Sequence, residues 1–203
     1  LSPKLLIATN NPGKLREYRA LLKGVPFDLV SPLDIGIKTV VPETGRSYEE
    51  NARLKAEILA KESQILTLAD DSGLEVDALH GEPGVMSARY AGEDASDSER
   101  VAFLLGKLKD VPESQRSARF RCVIAVARGG FPTVICHGEC TGYIAFQSHG
   151  NNGFGYDPIF FLPELGKTMA ELPENVKNRI SHRGQAAKKA RKLLFEIARE
   201  LSK

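Results

Sequence analysis

Within its first thirty residues the chain passes from an apolar run to a polar break, a helical repeat and a second apolar run, and this order narrows the fold more than any other feature. Leu5-Leu6-Ile7-Ala8 is too short for a helix and ends at the breakers Asn10-Asn11-Pro12-Gly13, which predicts a buried strand. Leu15, Tyr18, Leu21 and Leu22 then recur at helical spacing up to Gly24 and Pro26, and Phe27-Asp28-Leu29-Val30 predicts a second strand. A strand, helix and strand joined this closely form a βαβ unit, which makes the two strands parallel in one sheet. An α/β fold follows.

The rest of the chain extends that pattern and then changes it. Ser47-x-x-Glu50 predicts a capping box, opening a second helix through Leu54, Ile58 and Leu59 to about Glu62. A short strand is expected from Ile65 to Ala69, ending at Asp70-Asp71-Ser72-Gly73. Ser96-x-x-Glu99 caps a third helix carrying Val101, Leu104, Leu105 and Leu108. Ala118 to Ala127 and Pro132 to His137 flank Gly129-Gly130 as an antiparallel hairpin, with a further strand around Thr141 to Phe146. The last helix is expected from Gly184 to Leu201, with Ala190, Leu193, Leu194, Ile197 and Leu201 on its buried stripe. No repeat or linker divides residues 1–203, so one domain is expected, its middle forming a second lobe.

Composition excludes several function classes. A content of 42% hydrophobic and 27% charged residues is globular, not disordered or fibrous. Lys+Arg at 28 against Asp+Glu at 26 is too balanced for a dedicated nucleic-acid or membrane-surface protein. No apolar run reaches the length of a membrane span and no signal-peptide pattern opens the chain. Three cysteines suit a reducing compartment better than a disulfide framework, so a cytoplasmic protein is expected.

Three segments could carry chemistry. Thr9-Asn10-Asn11-Pro12-Gly13-Lys14 lies between a strand and a helix, where unpaired N–H groups and the helix dipole suit phosphate. Lys14 opposes that dipole, a conflict that an anion held between the two would resolve; a solvated Lys in an ordinary turn is the competing reading. Asp70-Asp71-Ser72-Gly73 sets two carboxylates side by side, which is costly unless a cation or water screens them. Strand alternation would turn one toward a site, where hard oxygen ligands fit Mg²⁺; an Asp-rich turn is the plainer alternative. Gly150 to Pro158 packs three glycines with Phe154 and Tyr156, a flexible backbone beside rings that suits a planar base or, equally, a tight core-anchored loop. Lys177, Arg179, His182 and Arg183 follow as a cationic cluster before the last helix.

Other features point nowhere specific. Gly166-Lys167-Thr168 ends like a phosphate-binding loop, but Phe161 stands where that motif needs Gly. Cys136-His137 and Cys140 lack a second pair at zinc spacing. Lys188, Lys189, Arg191 and Lys192 lie off the apolar stripe and read as a solvated face. No Gly-x-Ser-x-Gly elbow is present, and nothing pairs Cys122 with a base.

Six segments in order resemble the inosine/xanthosine triphosphate pyrophosphatase family. They are Thr9 to Lys14, Glu43-Thr44-Gly45 with Glu50-Asn51-Ala52, Ala69 to Leu74, Pro83-Gly84 with Ser87-Ala88-Arg89-Tyr90, Gly153 to Pro158, and Ser181-His182-Arg183-Gly184. The resemblance implies a long mixed sheet flanked by helices, in two lobes with the active site in the cleft between them. It also implies a homodimer and Mg²⁺-dependent cleavage of ITP, dITP or XTP to the monophosphate and pyrophosphate. By motif, Thr9, Asn10, Asn11, Pro12, Gly13 and Lys14 would hold the triphosphate, and Asp71 would be the proton acceptor and a Mg²⁺ ligand. Ser72, Phe154, Gly155, Tyr156, Asp157, Lys177, His182 and Arg183 would contact the nucleotide. Many members carry two acidic residues before the Thr-Gly; here they are replaced by Pro42-Glu43, which leaves Glu43 as the upstream metal ligand. The alternatives are a pyrophosphatase for other modified or canonical triphosphates, and an RNA- or nucleotide-binding module on the basic last helix.

Overall fold

In the computed structural model, which describes residues 2–201, the N-terminal βαβ unit forms as its periodicity requires. Strand β1 (Lys4–Ile7) pairs parallel with β2 (Asp28–Val30), setting Leu5 opposite Leu29, and helix α1 (Pro12–Leu21) joins them. Pro12 occupies the start of α1, where its missing N–H costs nothing, and the Asn11 side chain accepts the Lys14 N–H as the cap. Helix α2 (Tyr48–Ser63) leads into β3 (Leu66–Val76), which pairs parallel with the other side of β1. Parallel strands covered on both faces need apolar residues throughout, and β1 supplies Leu5, Leu6 and Ile7 with none of them exposed.

Helix α3 (Asp97–Lys107) precedes β4 (Ser117–Ala127) and β5 (Val134–Ile144). Two short strands, β6 (Phe160–Leu162) and β7 (Lys167–Thr168), and the helices α4 (Glu174–Ile180) and α5 (His182–Leu201) complete the order. The sheet has seven strands in the order β2-β1-β3-β4-β5-β6-β7. It is mixed, because β5, β6 and β7 pair antiparallel in succession.

The chain forms two compact units, and β3, β4 and β5 each contribute residues to both. The first comprises the residues up to Asp71, Cys122–Gly138 and those from Arg183 onward. Its core joins Leu5, Ile7 and Leu68 of the sheet to Tyr18 and Leu22 of α1 and to Ala186, Ala190 and Leu194 of α5. The second comprises Ser72–Arg121 and Glu139–His182, with a core of Leu74, Val76, Leu104, Phe120, Ile144, Phe160 and Met169. Among the described residues no helix is long and apolar enough to cross a membrane.

Four local expectations are corrected. Strand β3 does not end at Asp70 but runs on to Val76, because the polar side chains of Asp70 and Asp71 find partners and the backbone can stay extended. The strands expected at 132–137 and 141–146 are one strand, β5. Gly142 lies within it because β6 passes close: a Cβ there would come within 2.5 Å of the Phe161 carbonyl oxygen. Helix α2 turns Ala52, Ala56, Leu59 and Ala60 inward and leaves Ile58 exposed, a rotation that also brings Asn51 and Lys55 to the sheet. Helix α5 starts at His182, and its apolar stripe ends before Leu201, which is exposed.

Candidate active site

The first unit gathers the phosphate-loop residues around the two aspartates of β3. Alternation sends Asp70 to the face covered by α1 and α5, and Asp71 to the face covered by α2. Lys14 Nζ lies 3.0 Å from Asp70 Oδ2, and Arg183 Nη2 lies 3.4 Å from the same oxygen. Arg183 also donates to Glu17 Oε2 at 2.7 Å, one turn along α1 from the loop. Burial alone would push the Asp70 carboxyl up, but Lys14, Arg183 and Lys55 outweigh it and hold that group ionised, well below the usual carboxylate range.

Asp71 is treated differently. Its Oδ2 accepts from Asn51 Nδ2 at 2.9 Å, and Asn51 Oδ1 in turn accepts the Gly45 N–H at 2.7 Å. A Cβ at Gly45 would lie 2.6 Å from that Oδ1, so only glycine admits the contact. Lys55, one turn beyond Asn51 on the same helix face, donates to Glu43 Oε1 at 2.7 Å and to the Asp70 carbonyl at 2.5 Å. Burial raises the Asp71 carboxyl above its ordinary value; Lys55 opposes the shift and the nearby Glu43 adds to it. Burial and neighbouring charge thus shift the adjacent aspartates in opposite directions, Asp70 down and Asp71 up. In the loop itself, Thr9 Oγ1 accepts the Asn11 N–H at 3.1 Å, while Asn10, Asn11 and Pro12 are exposed and Gly13 is buried.

The second unit gathers the glycine–aromatic loop. Asp157 and Lys177 are both buried and form an ion pair. Asp157 Oδ2 also accepts the Phe154 N–H at 2.9 Å, and Lys177 Nζ lies 4.9 Å from the centre of the Phe154 ring. Gly153 takes a positive φ of 77°, and a Cβ there would collide with the Asp157 carboxylate. Tyr156 donates its hydroxyl to the Ser87 carbonyl at 3.0 Å. His182 stacks on Phe120 with ring centres 4.6 Å apart and planes 13° from parallel. Ser72 is half-buried on β3 beside Gly73.

The cations expected at 177–183 are divided between the two units. Lys177 pairs with Asp157, Arg179 is exposed, His182 rests on Phe120, and Arg183 belongs to the Asp70 network of the first unit. The division between units falls at Asp71/Ser72 and again at His182/Arg183, inside two of the six motifs.

The profile of the Ham1 family matches residues 5–193. The chain belongs to the Ham1 family. A dITP/XTP pyrophosphatase of Bacillus licheniformis is 48% identical over 191 residues, spanning 94% of this chain and 97% of its own. One from Geobacillus kaustophilus is 52% identical over 186 residues, 92% of this chain and 91% of its own. Among solved structures, a Ham1 protein from Coxiella burnetii superposes with a TM-score of 0.87 at 42% identity, covering 96% of this chain and 99% of that one. The Staphylococcus aureus Ham1 protein gives 0.84, also at 42% identity, with 94% and 97% covered. The α/β fold with its mixed sheet is thus the Ham1 fold.

Sequence reasoning missed several Ham1 side chains that build these clusters. Asn51 lies inside the Glu50-Asn51-Ala52 motif, which by itself assigns it no role, and Lys55 lies one turn further along the same helix. Glu17 and Phe120 carried no signal, since each matters only through a partner more than sixty residues away.

Proposed function

We propose that the chain hydrolyses non-canonical purine nucleoside triphosphates, ITP, dITP and XTP, to the monophosphate and pyrophosphate. The observation that carries this reading is the arrangement of the two aspartates, a buried Asp70 anion held by Lys14 and Arg183 beside an Asp71 carboxylate oriented by Asn51. Relatives that span almost the whole chain and are named dITP/XTP pyrophosphatases supply the substrate class. On this reading Asp71 takes a proton from a water that attacks the α-phosphorus, the bond to the bridging oxygen breaks, and pyrophosphate leaves. Lys14 and the N–H groups of Asn10 and Gly13 grip the triphosphate, since the N–H groups of Thr9 and Asn11 are donated to the Ile7 carbonyl and Thr9 Oγ1, with Lys14 exchanging Asp70 for phosphate oxygens. Lys55 holds Glu43 in place and tempers the charge of Asp71.

The residues present fit Mg²⁺. Asp71 and Glu43 are hard oxygen donors whose mutual repulsion a cation would relieve, and Mg²⁺ typically binds through one or two carboxylates plus phosphate oxygens. Among the described residues no group of three or more His, Cys, Asp or Glu could hold a metal unaided, so substrate oxygens would complete the shell. Bound Mg²⁺ would supply charge neutralisation on the triphosphate.

Ser72, Phe154 to Asp157, Lys177 and His182 would hold the nucleoside. Phe154 offers a ring for stacking, and donors facing the 6-keto oxygen would leave adenine's amino group opposite a donor, an unpaired contact costing about 1–3 kcal/mol. Arg183 would act from the phosphate side, where Asp70 and Glu17 hold it. A homodimer in the cytoplasm is part of the same proposal, drawn from the family resemblance. The test is hydrolysis of ITP in ¹⁸O-water with Mg²⁺: label in IMP beside unlabelled pyrophosphate supports the reading, and IDP with free phosphate refutes it.

A further inference from the structure

Helix α3 has no task in the reading above, yet its first turn reaches the loop assigned to the nucleoside. Asp97 follows the Ser96 cap, and its side chain is 47% exposed, so it is no part of the core. One carboxylate oxygen, Oδ2, accepts the Gly155 N–H at 2.6 Å. The other pairs with Arg100, whose Nη1 is fixed by the carbonyls of Ala88 at 2.8 Å and Ala95 at 2.5 Å. The carboxylate thus sits at the positive end of the α3 dipole with its orientation set from behind.

Gly155 holds a positive φ of 62°, the left-handed turn that separates the Phe154 ring from Tyr156. Its N–H is held from outside the loop by Asp97, whereas the Phe154 N–H is held from within it by Asp157. Tyr156 is tied to the Ser87 carbonyl, within the Ser87-Ala88-Arg89-Tyr90 segment that also anchors Arg100. A charge-assisted bond to an exposed carboxylate at a turn apex orients a loop without stabilising a core.

We propose that Asp97 is a positioning residue for base selection, pinning Gly155 so that the Phe154 ring is presented in one orientation to the purine. The inference rests on the purine-nucleotide reading above, and it assigns no role to Asp97 in phosphate binding or proton transfer. It predicts an effect confined to ligands that carry the base.

The experiment compares wild type, Asp97→Ala and Asp97→Asn, with thermal melting followed to verify folding. Asp97→Ala should raise KM for ITP about tenfold or more, the usual effect of losing a hydrogen bond to a charged group, with kcat within about threefold. Inhibition by inosine 5′-monophosphate should weaken by the same factor, while inhibition by inorganic tripolyphosphate, which lacks a base, stays unchanged. Asp97→Asn retains an acceptor oxygen and should recover most of the loss. A wild-type KM in Asp97→Ala, or equal weakening of tripolyphosphate, would overturn the inference alone. Failure of wild type to cleave ITP would overturn the functional reading and the inference with it.

Discussion

Lys14 Nζ lies 3.0 Å from Asp70 Oδ2, so the cation in the first turn of α1 already has an anion before any phosphate arrives. The sequence poses Lys14 as a conflict with the helix dipole, and the protein answers it with its own carboxylate. A substrate phosphate must then compete with Asp70 for Lys14, while the Arg183 guanidinium keeps Asp70 from becoming an uncompensated buried charge.

Lys14→Ala and Arg183→Ala should therefore differ in kind. Lys14→Ala should weaken ITP and XTP about equally, because Lys14 meets only the phosphate side. Arg183→Ala removes the buried cation that Glu17 and Asp70 share, and breaking such a pair typically costs about 3–5 kcal/mol of stability. Denaturant melts should register that loss, and the ratio of ITP to ATP turnover should stay as in wild type. A changed ratio would move Arg183 to the base.

Asp71→Asn should abolish most turnover, by about 10²–10⁴-fold, while ITP binding survives. It should also make the protein more stable. Burial raises the Asp71 carboxyl in the folded chain, so the folded state binds that proton more tightly than the unfolded state does. Stability contributed at this site then falls as pH rises from the ordinary carboxylate range through the raised value. Melting in EDTA should place the Asn variant above wild type at pH 8, with the gap closing below about pH 4. A variant less stable than wild type at pH 8 would contradict the assignment.

Gly153→Ala probes the loop from the other end. The residue has a positive φ, and the added methyl group would run into the Asp157 carboxylate that Lys177 and the Phe154 N–H share. Strain of roughly 1–3 kcal/mol is expected at such a position. KM for ITP should rise several-fold, whereas Asp71-dependent proton transfer should be spared. Steady-state kinetics with a wild-type KM would show that the loop geometry does not govern nucleoside binding.

The cations of α5 should matter little. Lys188, Lys189 and Lys192 are exposed, and Lys189 donates to the His137 carbonyl at 2.7 Å. Replacing all three with Gln should shift stability by about 0–1 kcal/mol and leave ITP hydrolysis within about twofold. Salt-dependent oligonucleotide binding that vanished in this variant would instead support the nucleic-acid alternative.

What was legible in the sequence was local. The β1–α1–β2 unit and the caps at Ser47 and Ser96 are encoded within a few residues of where they act, and all formed. At Ser47 only half of the capping box appears as read: Glu50 Oε2 accepts the N–H of Arg46 rather than that of Ser47. Asp70-Asp71-Ser72-Gly73 read as a strand end because its composition is that of a turn. Partners from α1, α2 and α5, up to 113 residues away, keep it extended. The same distance hid Asn51, Glu17 and Phe120, whose roles exist only once the chain has folded. Helix α4, of seven residues, is too short for periodicity to show.

Competition between ITP and ATP in one reaction, with Mg²⁺ and with IMP, AMP and pyrophosphate quantified, tests the central claim most directly. A site whose donors meet the 6-keto oxygen should favour ITP by at least about fivefold in kcat/KM, since one unpaired contact alone costs about 1–3 kcal/mol. Equal cleavage of ATP, or the absence of pyrophosphate release from ITP, would contradict it.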